Sequence, residues 1–238
     1  MKVLLTRPQG RNQQMSDALD KLSVDHLLCP LIDITPSNTP PHASFFSADK
    51  LIFISANAVQ CAAHYLHNIF PQDCDYFAVG EATQMALAEY QISSQCAPSS
   101  QQDSEGLLSL LSLQDVKRQT ITIVRGEGGR ETLAQILSER GANINYWQVY
   151  QRGLPTLNTK RACQQWQEFG IDTIVLTSGE ALDNLMELVP KELFAWLRSC
   201  HIIVPSLRVQ EHACSQGFHR VTNANGANTQ TVLRALKL

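Results

Sequence analysis

The sequence predicts an α/β protein made of two similar halves, each a parallel β-sheet with helices packed on its faces. Three observations predict it. Short apolar runs of four to six residues, rich in Val, Ile and Leu, recur without polar alternation, the pattern of strands buried on both faces. Between them lie stretches whose apolar residues fall at i, i+3, i+4 and i+7, the buried stripe of an amphipathic helix. The order of these runs also repeats, so that the first half of the chain overlays the second in three blocks.

The first block sets Val3–Gly10 over Ile121–Gly128, an offset of 118 residues. Each segment is an apolar run, then Arg (Arg7, Arg125), then a turn containing Pro or Gly. The same offset pairs a helical stripe, Met15, Ala18 and Leu19, with Leu133, Ile136 and Leu137, and a second strand, Cys29–Ile32, with Trp147–Tyr150. In the second block, at an offset of 123, Leu51–Ser55 matches Ile174–Ser178. The stripe Val59, Ala62, Ala63, Leu66 then matches Leu182, Leu185, Met186, Val189. The third block, offset by 125, pairs Phe77–Gly80 with Ile202–Pro205 and Ser104–Leu111 with Thr229–Leu236. Identities are few, and strand–helix alternation is common to any two α/β halves; the shared order carries the repeat.

Two stretches rich in Pro, Ser and Asn resist helix and sheet: Thr35–His42 and Gly153–Thr159. Both follow the second strand of their half. The chain is therefore expected to cross between two domains twice, near 35–45 and near 150–160.

Composition narrows the function. At 238 residues, with 44% apolar and 17% charged, the chain folds as one large or two small domains rather than staying disordered. No apolar run reaches the roughly 18 residues of a membrane span, and the start lacks a secretory h-region, so a cytoplasmic protein is expected. A net charge of -3 without basic blocks argues against nucleic acid. Seven cysteines without C-x-x-C spacing read as reduced thiols, mostly small apolar residues of the core. The histidines, including His64 and His67 near an apolar face, lack a third ligand and read as structural, so no metal is expected.

In a doubly wound sheet, ligands bind at the carboxyl ends of strands, beside helix N-termini. Polar turns fall at such places: Arg7–Gly10, Ser55-Ala56-Asn57, Gly80–Thr83, Arg125–Arg130 and Ser178-Gly179. They offer backbone N–H groups, hydroxyls, amides and helix dipoles suited to several carboxylates or phosphates on a large ligand. Ser55, Ser178 and Thr83 are equally explained as helix N-caps. The run from Gly126 to Arg130 looks like a dinucleotide loop. It departs from G-x-G-x-x-G, and no acidic residue follows at the required distance. No nucleotide cofactor is expected. Tyr150 closes its strand beside a connection, where its phenol serves either as a proton donor or as an interface spacer.

The ordered set Leu4-Leu5-Thr6-Arg7-Pro8, Phe53–Val59, Ala78–Thr83, Val124-Arg125-Gly126, Val149-Tyr150 and Thr177-Ser178 resembles the uroporphyrinogen-III synthase family, from Met1 to about Leu236. The resemblance implies a cofactor-free lyase that closes hydroxymethylbilane, a linear tetrapyrrole with eight carboxylates, into uroporphyrinogen III. The last ring is inverted and the terminal hydroxyl leaves as water. It implies Tyr150 as the proton donor. It also implies Arg7, Ser55, Asn57, Gly80, Thr83, Arg125, Gly126, Ser178 and Gly179 as substrate-binding residues, with Ile54 standing where the family commonly has Thr. Its fold implies two α/β domains, residues 1–34 plus 152–238 and residues 37–150. These domains exchange their first strand–helix–strand units and are joined by a two-stranded connection. A small-molecule substrate, no membrane, no nucleic acid and a monomer complete the expectation. The competing expectation is a non-enzymatic two-domain protein that binds or senses an anionic ligand.

Overall fold

The computed structural model describes all residues, Met1–Leu238. The chain divides into two compact units, Met1–Asp33 with Gly153–Leu238, and Ile34–Arg152. Each is a mixed α/β unit around a parallel sheet.

The first unit contains β1 (Val3–Leu5), α1 (Gln13–Lys21) and β2 (His26–Leu28). After the other unit it resumes with α6 (Thr159–Phe169), β9 (Thr173–Val175), α7 (Gly179–Leu188) and α8 (Phe194–Ser199). It finishes with β10 (His201–Val204), α9 (Leu207–Ser215), β11 (Val221–Asn223) and α10 (Thr229–Leu236). Its sheet runs β11-β10-β9-β1-β2, every pair parallel. Val3, Leu5, Val175 and Ile203 pack with Met15, Leu19, Val232 and Leu236 of α1 and α10. The alternating Leu4, Ile174, Ile202 and Val204 are also buried, which is why these strands show no polar face. Thr6, just past β1, donates from Oγ1 to the Val175 carbonyl at 2.6 Å and ties β1 to β9 inside the core.

The second unit contains β3 (Asp33–Pro36), β4 (Lys50–Phe53), α2 (Ala56–Tyr65), β5 (Asp75–Ala78), α3 (Glu81–Ala88) and β6 (Gln95–Cys96). It continues with α4 (Ser104–Leu108), β7 (Thr120–Gly126), α5 (Thr132–Glu139) and β8 (Asn143–Gly153). The sheet order is β3-β8-β7-β4-β5-β6. Leu51 and Phe53 of β4 join Val124, Trp147 and the α2 stripe Val59, Ala62, Ala63, Leu66 in one core. Ile52 between them joins Ile121, Ile123, Leu133 and Leu137 in the core of the opposite face. Aromatic edges fill the first core: Phe45 stands 4.7 Å from Trp147, and Tyr65 stands 5.4 Å from it.

Three local expectations need correction. The second strand is not Cys29–Ile32: β2 ends at Leu28 and β3 begins at Asp33, with an irregular segment between. Pro30 has no N–H for a ladder and interrupts the run there. Tyr150 does not close its strand, because β8 runs on to Gly153. His64 and His67 are exposed rather than near a core face.

Candidate functional site

The polar turns at the carboxyl ends of the parallel strands were built twice with nearly the same backbone. After β4, Ser55 is extended (φ -158°, ψ 156°) and its Oγ accepts from the Ala58 N–H at 3.1 Å, capping α2. After β9, Ser178 is extended (φ -160°, ψ 164°) and its Oγ accepts from the Ala181 N–H at 3.1 Å, capping α7. Both serines are therefore N-caps. Asn57 and Gly179 lie in the first turns of the helices they open.

The third turn differs. Gly80, not Thr83, is the N-cap of α3; Thr83 lies within the helix and is 4% exposed. Its N–H, with that of Gln84, is bonded to the Gly80 carbonyl. Gly80 has no side chain to cap with, and Gln102 substitutes by accepting from the Glu81 N–H at 3.2 Å. Expecting Thr83 as a cap misplaced the helix start by one turn.

Arg7 follows β1 and Arg125 lies within β7 rather than in the turn after it; both are tied inward. Arg7 is half-buried and donates to the carbonyls of Ala227 and Arg11, while its own carbonyl accepts from Asn12. Burial pushes its guanidinium below the usual arginine range. Arg125 is only 3% exposed. It donates to the Gly128 carbonyl and to Glu131 Oε1 at 3.0 Å, and its guanidinium lies 4.9 Å from the Tyr146 ring centre. Its Nε is buried without a partner. The Gly128–Glu131 loop is thus wrapped around a guanidinium rather than a dinucleotide, and Gly129, at φ +103°, leaves the space that Arg125 fills. Glu131 closes the cluster by accepting from the Tyr146 phenol. That bond and the Arg125 charge hold the Glu131 carboxyl below its usual range, while burial and then Glu131 push Tyr146 up to about 12.

Tyr150 is the residue around which the second unit's edge is organised. The register of β8 on β7 pairs Arg125 with Gln148 but Gly126 with Tyr150, so Val149 is an extra residue, a β-bulge. Side chains alternate along a strand, so Tyr150 would otherwise point away from the face that takes Trp147 and Val149. The bulge turns it onto that face, and all three share one core. Its ring lies on Gly126, where an added Cβ would stand 2.5 Å from Cε2 and 2.6 Å from Cζ. The Glu127 N–H donates to the Tyr150 carbonyl at 2.8 Å and fixes the backbone. At the far end of the ring the phenol oxygen meets Ser55 Oγ at 3.1 Å. Sequence reasoning named Tyr150, Ser55 and Gly126 separately; the structure brings them together.

A cavity of about 210 Å³ opens beside this edge, lined by Ile54, Val79, Ile123 and Leu133, with Arg125 and Arg130. Ile54 and Val79 immediately precede Ser55 and Gly80. Sequence reasoning missed this cavity, and it missed Arg208, an exposed residue whose guanidinium lies 4.0 Å from where a Cβ on Gly179 would be. Its signal was the equivalent turn after β10, Pro205-Ser206, which opens the helix bearing it. No group of three or more His, Cys, Asp or Glu side chains stands ready to hold a metal ion. No helix is long and apolar enough to cross a membrane.

Comparison with known proteins gives a consistent picture. The family profile described as uroporphyrinogen-III synthase HemD matches residues 13–233. Over 246 aligned positions covering all of both chains, the sequence is 31% identical to uroporphyrinogen-III synthase of Escherichia coli (strain K12). It is 30% identical, again over all of both chains, to the enzyme of the same name from Salmonella typhimurium. The crystal structure of uroporphyrinogen-III synthetase from Helicobacter pylori, 15% identical, shares the fold with a TM-score of 0.68, covering 99% of this chain and 98% of that one. The chain belongs to the uroporphyrinogen-III synthase family.

Proposed function

We propose that this protein closes hydroxymethylbilane into uroporphyrinogen III, inverting the last ring and releasing water, as a cyclising lyase of tetrapyrrole (haem) biosynthesis. The observation that carries the reading is similarity along the entire chain to two enzymes of that name, at 31% and 30% identity. The contact of Tyr150 with Ser55 and Gly126 supports the following roles. The phenol of Tyr150 protonates the leaving hydroxyl, the C–O bond breaks, and the pyrrole nitrogen supplies the electron pair that forms the azafulvene. Attack at the substituted carbon of the last ring gives a spiro intermediate, which fragments and recloses. The proton lost on final rearomatisation restores the phenol. The pyrroles supply the electrons, so the protein's task is to hold one chain geometry against uncatalysed, uninverted closure.

The carboxylates of the substrate need many modest donors rather than one deep charged pocket. The turns at Ser55-Ala56-Asn57, Gly80 and Ser178-Gly179 supply them through helix N-terminal N–H groups. The segments at Arg7 and Arg125-Gly126 add positive charge from guanidiniums held by the protein's own carbonyls. Thr83, buried, supports its turn from inside. The cavity has apolar walls suited to a pyrrole ring, and its polar lining combines Arg125 and Arg130 with Asp103, Ser104 and Tyr146.

The same reading covers the architecture. We propose that the units are autonomous domains, 1–34 plus 152–238 and 37–150, built from one repeated strand–helix order with their first units exchanged. In support, β1-α1-β2 joins β9, whereas β7-α5-β8, its counterpart, joins β4. The strands β3 and β8 carry the chain across. The protein is further proposed to act as a cytoplasmic monomer without a cofactor.

Isomer analysis tests the activity. Hydroxymethylbilane is supplied with and without protein, the products are oxidised, and porphyrin isomers I and III are separated. Isomer III formed only with protein supports the synthase. Isomer I alone, from folded protein, overturns it in favour of an anionic-ligand binder.

A further inference from the structure

We infer that Ser55 is a positioning residue whose hydroxyl aims the proton of Tyr150, rather than a substrate ligand. The inference rests on the proposed role of Tyr150 as proton donor. A phenol can protonate a leaving group only if its O–H points at that group and not at a neighbour. Tyr150 is 5% exposed, and the structure gives its phenol one side-chain partner, Ser55 Oγ at 3.1 Å.

Either oxygen of that pair can be the donor, and the serine takes that role in the inferred arrangement. A serine hydroxyl has one proton to donate and two lone pairs. Ser55 Oγ already accepts from the Ala58 N–H at 3.1 Å as the cap of α2. When it donates its own proton to the Tyr150 oxygen, it both caps α2 and engages the phenol oxygen, and the phenol proton is left for substrate. The same donation stabilises the phenolate after transfer, a charge-assisted bond stronger than a neutral one. The opposite arrangement, in which the second lone pair of Ser55 accepts from the phenol, turns the phenol proton into the protein and away from substrate. Helix geometry fixes the serine, and the β-bulge with the bare Gly126 surface fixes the ring, so neither partner has to be found at the moment of reaction. Within its own unit, which holds no tyrosine, Ser178 makes the corresponding cap alone, which separates capping from positioning within one molecule.

A double-mutant cycle tests this, with Ser55→Gly chosen because glycine is tolerated at an N-cap almost as well as serine. The variants are Ser55→Gly, Ser55→Thr, Tyr150→Phe and the Ser55→Gly/Tyr150→Phe double mutant. Rates of isomer III formation are measured at varied hydroxymethylbilane, and folding is followed by thermal melts. Ser55→Gly is expected to lower kcat about tenfold with KM nearly unchanged, and to cause no further loss in the Tyr150→Phe background. Ser55→Thr, which keeps a hydroxyl and a cap, is expected to keep most of the rate and remains informative if the glycine variant folds poorly. An equal loss from Ser55→Gly in both backgrounds, a change confined to KM, a parental rate in Ser55→Gly, or a Ser55→Thr variant as slow as glycine overturns the inference. A parental rate in Tyr150→Phe instead overturns the donor role on which it rests.

Discussion

Ser55 and Ser178 occupy the same kind of turn, with backbone angles within 8° of one another and the same cap distance of 3.1 Å. They differ in what else the hydroxyl meets. The hydroxyl of Ser178 caps its helix, whereas that of Ser55 caps its own and also meets the phenol of Tyr150 at 3.1 Å. The difference does not lie in the serines. It comes from β8, whose extra residue rotates a tyrosine onto the α2 face, and from Gly126, which leaves room for the ring. A strand–turn–helix offers helix N-terminal donors wherever it occurs; the proposed chemistry lies where a neighbouring strand departs from regular pairing.

The sharpest way to break this contrast is to remove the phenol. Tyr150→Phe is expected to lower the rate of isomer III formation by about a hundredfold or more, the usual contribution of a positioned acid. Stability should fall by about 1 kcal/mol for the lost hydrogen bond, read from urea melts. An unchanged rate would make Tyr150 a spacer. Next, Gly126→Ala places a methyl 2.5 Å from the ring, so the Tyr150 side chain has to shift within its packed core. It is expected to cost about 1–3 kcal/mol and to slow turnover by displacing the phenol from Ser55. If stability falls but turnover per folded molecule does not, ring placement is not limiting.

Much of this was legible beforehand, for definite reasons. The stripe Val59, Ala62, Ala63, Leu66 could be read because helical burial depends on spacing within one segment, and all four are buried. Ser55 and Gly80 could be singled out because turn residues after apolar runs mark strand ends; Arg125 and Tyr150 were found by the same rule although both lie inside their strands. What was not legible depends on pairing between segments. The bulge opposite Gly126 is a property of the β7–β8 register and leaves no mark in either strand alone. The inward turn of Arg125 depends on the path of the Gly128–Glu131 loop. Pro30 did carry a signal, since a residue without an N–H within Cys29–Ile32 argued against a strand there.

On the other side of the comparison, Ser178→Ala removes a cap and leaves every backbone N–H of its turn in place. It is expected to cost about 1 kcal/mol of stability by thermal or urea unfolding, with kcat within about twofold of the parent. A large loss of turnover would mean that this hydroxyl meets substrate directly. The smallest effect concerns Glu131, an exposed carboxylate held below its usual range by Tyr146 and then Arg125. A group whose folded value is lowered adds stability that is complete above its unfolded value and disappears as pH falls through the folded one. The stability difference between parent and Glu131→Gln should therefore be present at neutral pH and close in the acid range; parallel curves would show that the pair contributes nothing.

The central claim is that two equivalent caps have unequal functions, and one paired measurement tests it directly. Ser55→Gly and Ser178→Gly both keep a tolerated N-cap, so their melting temperatures should fall by similarly small amounts. Measured side by side for isomer III formation, Ser55→Gly should lose about tenfold in kcat and Ser178→Gly should stay near the parent. Equal kcat values for the two variants would contradict the account.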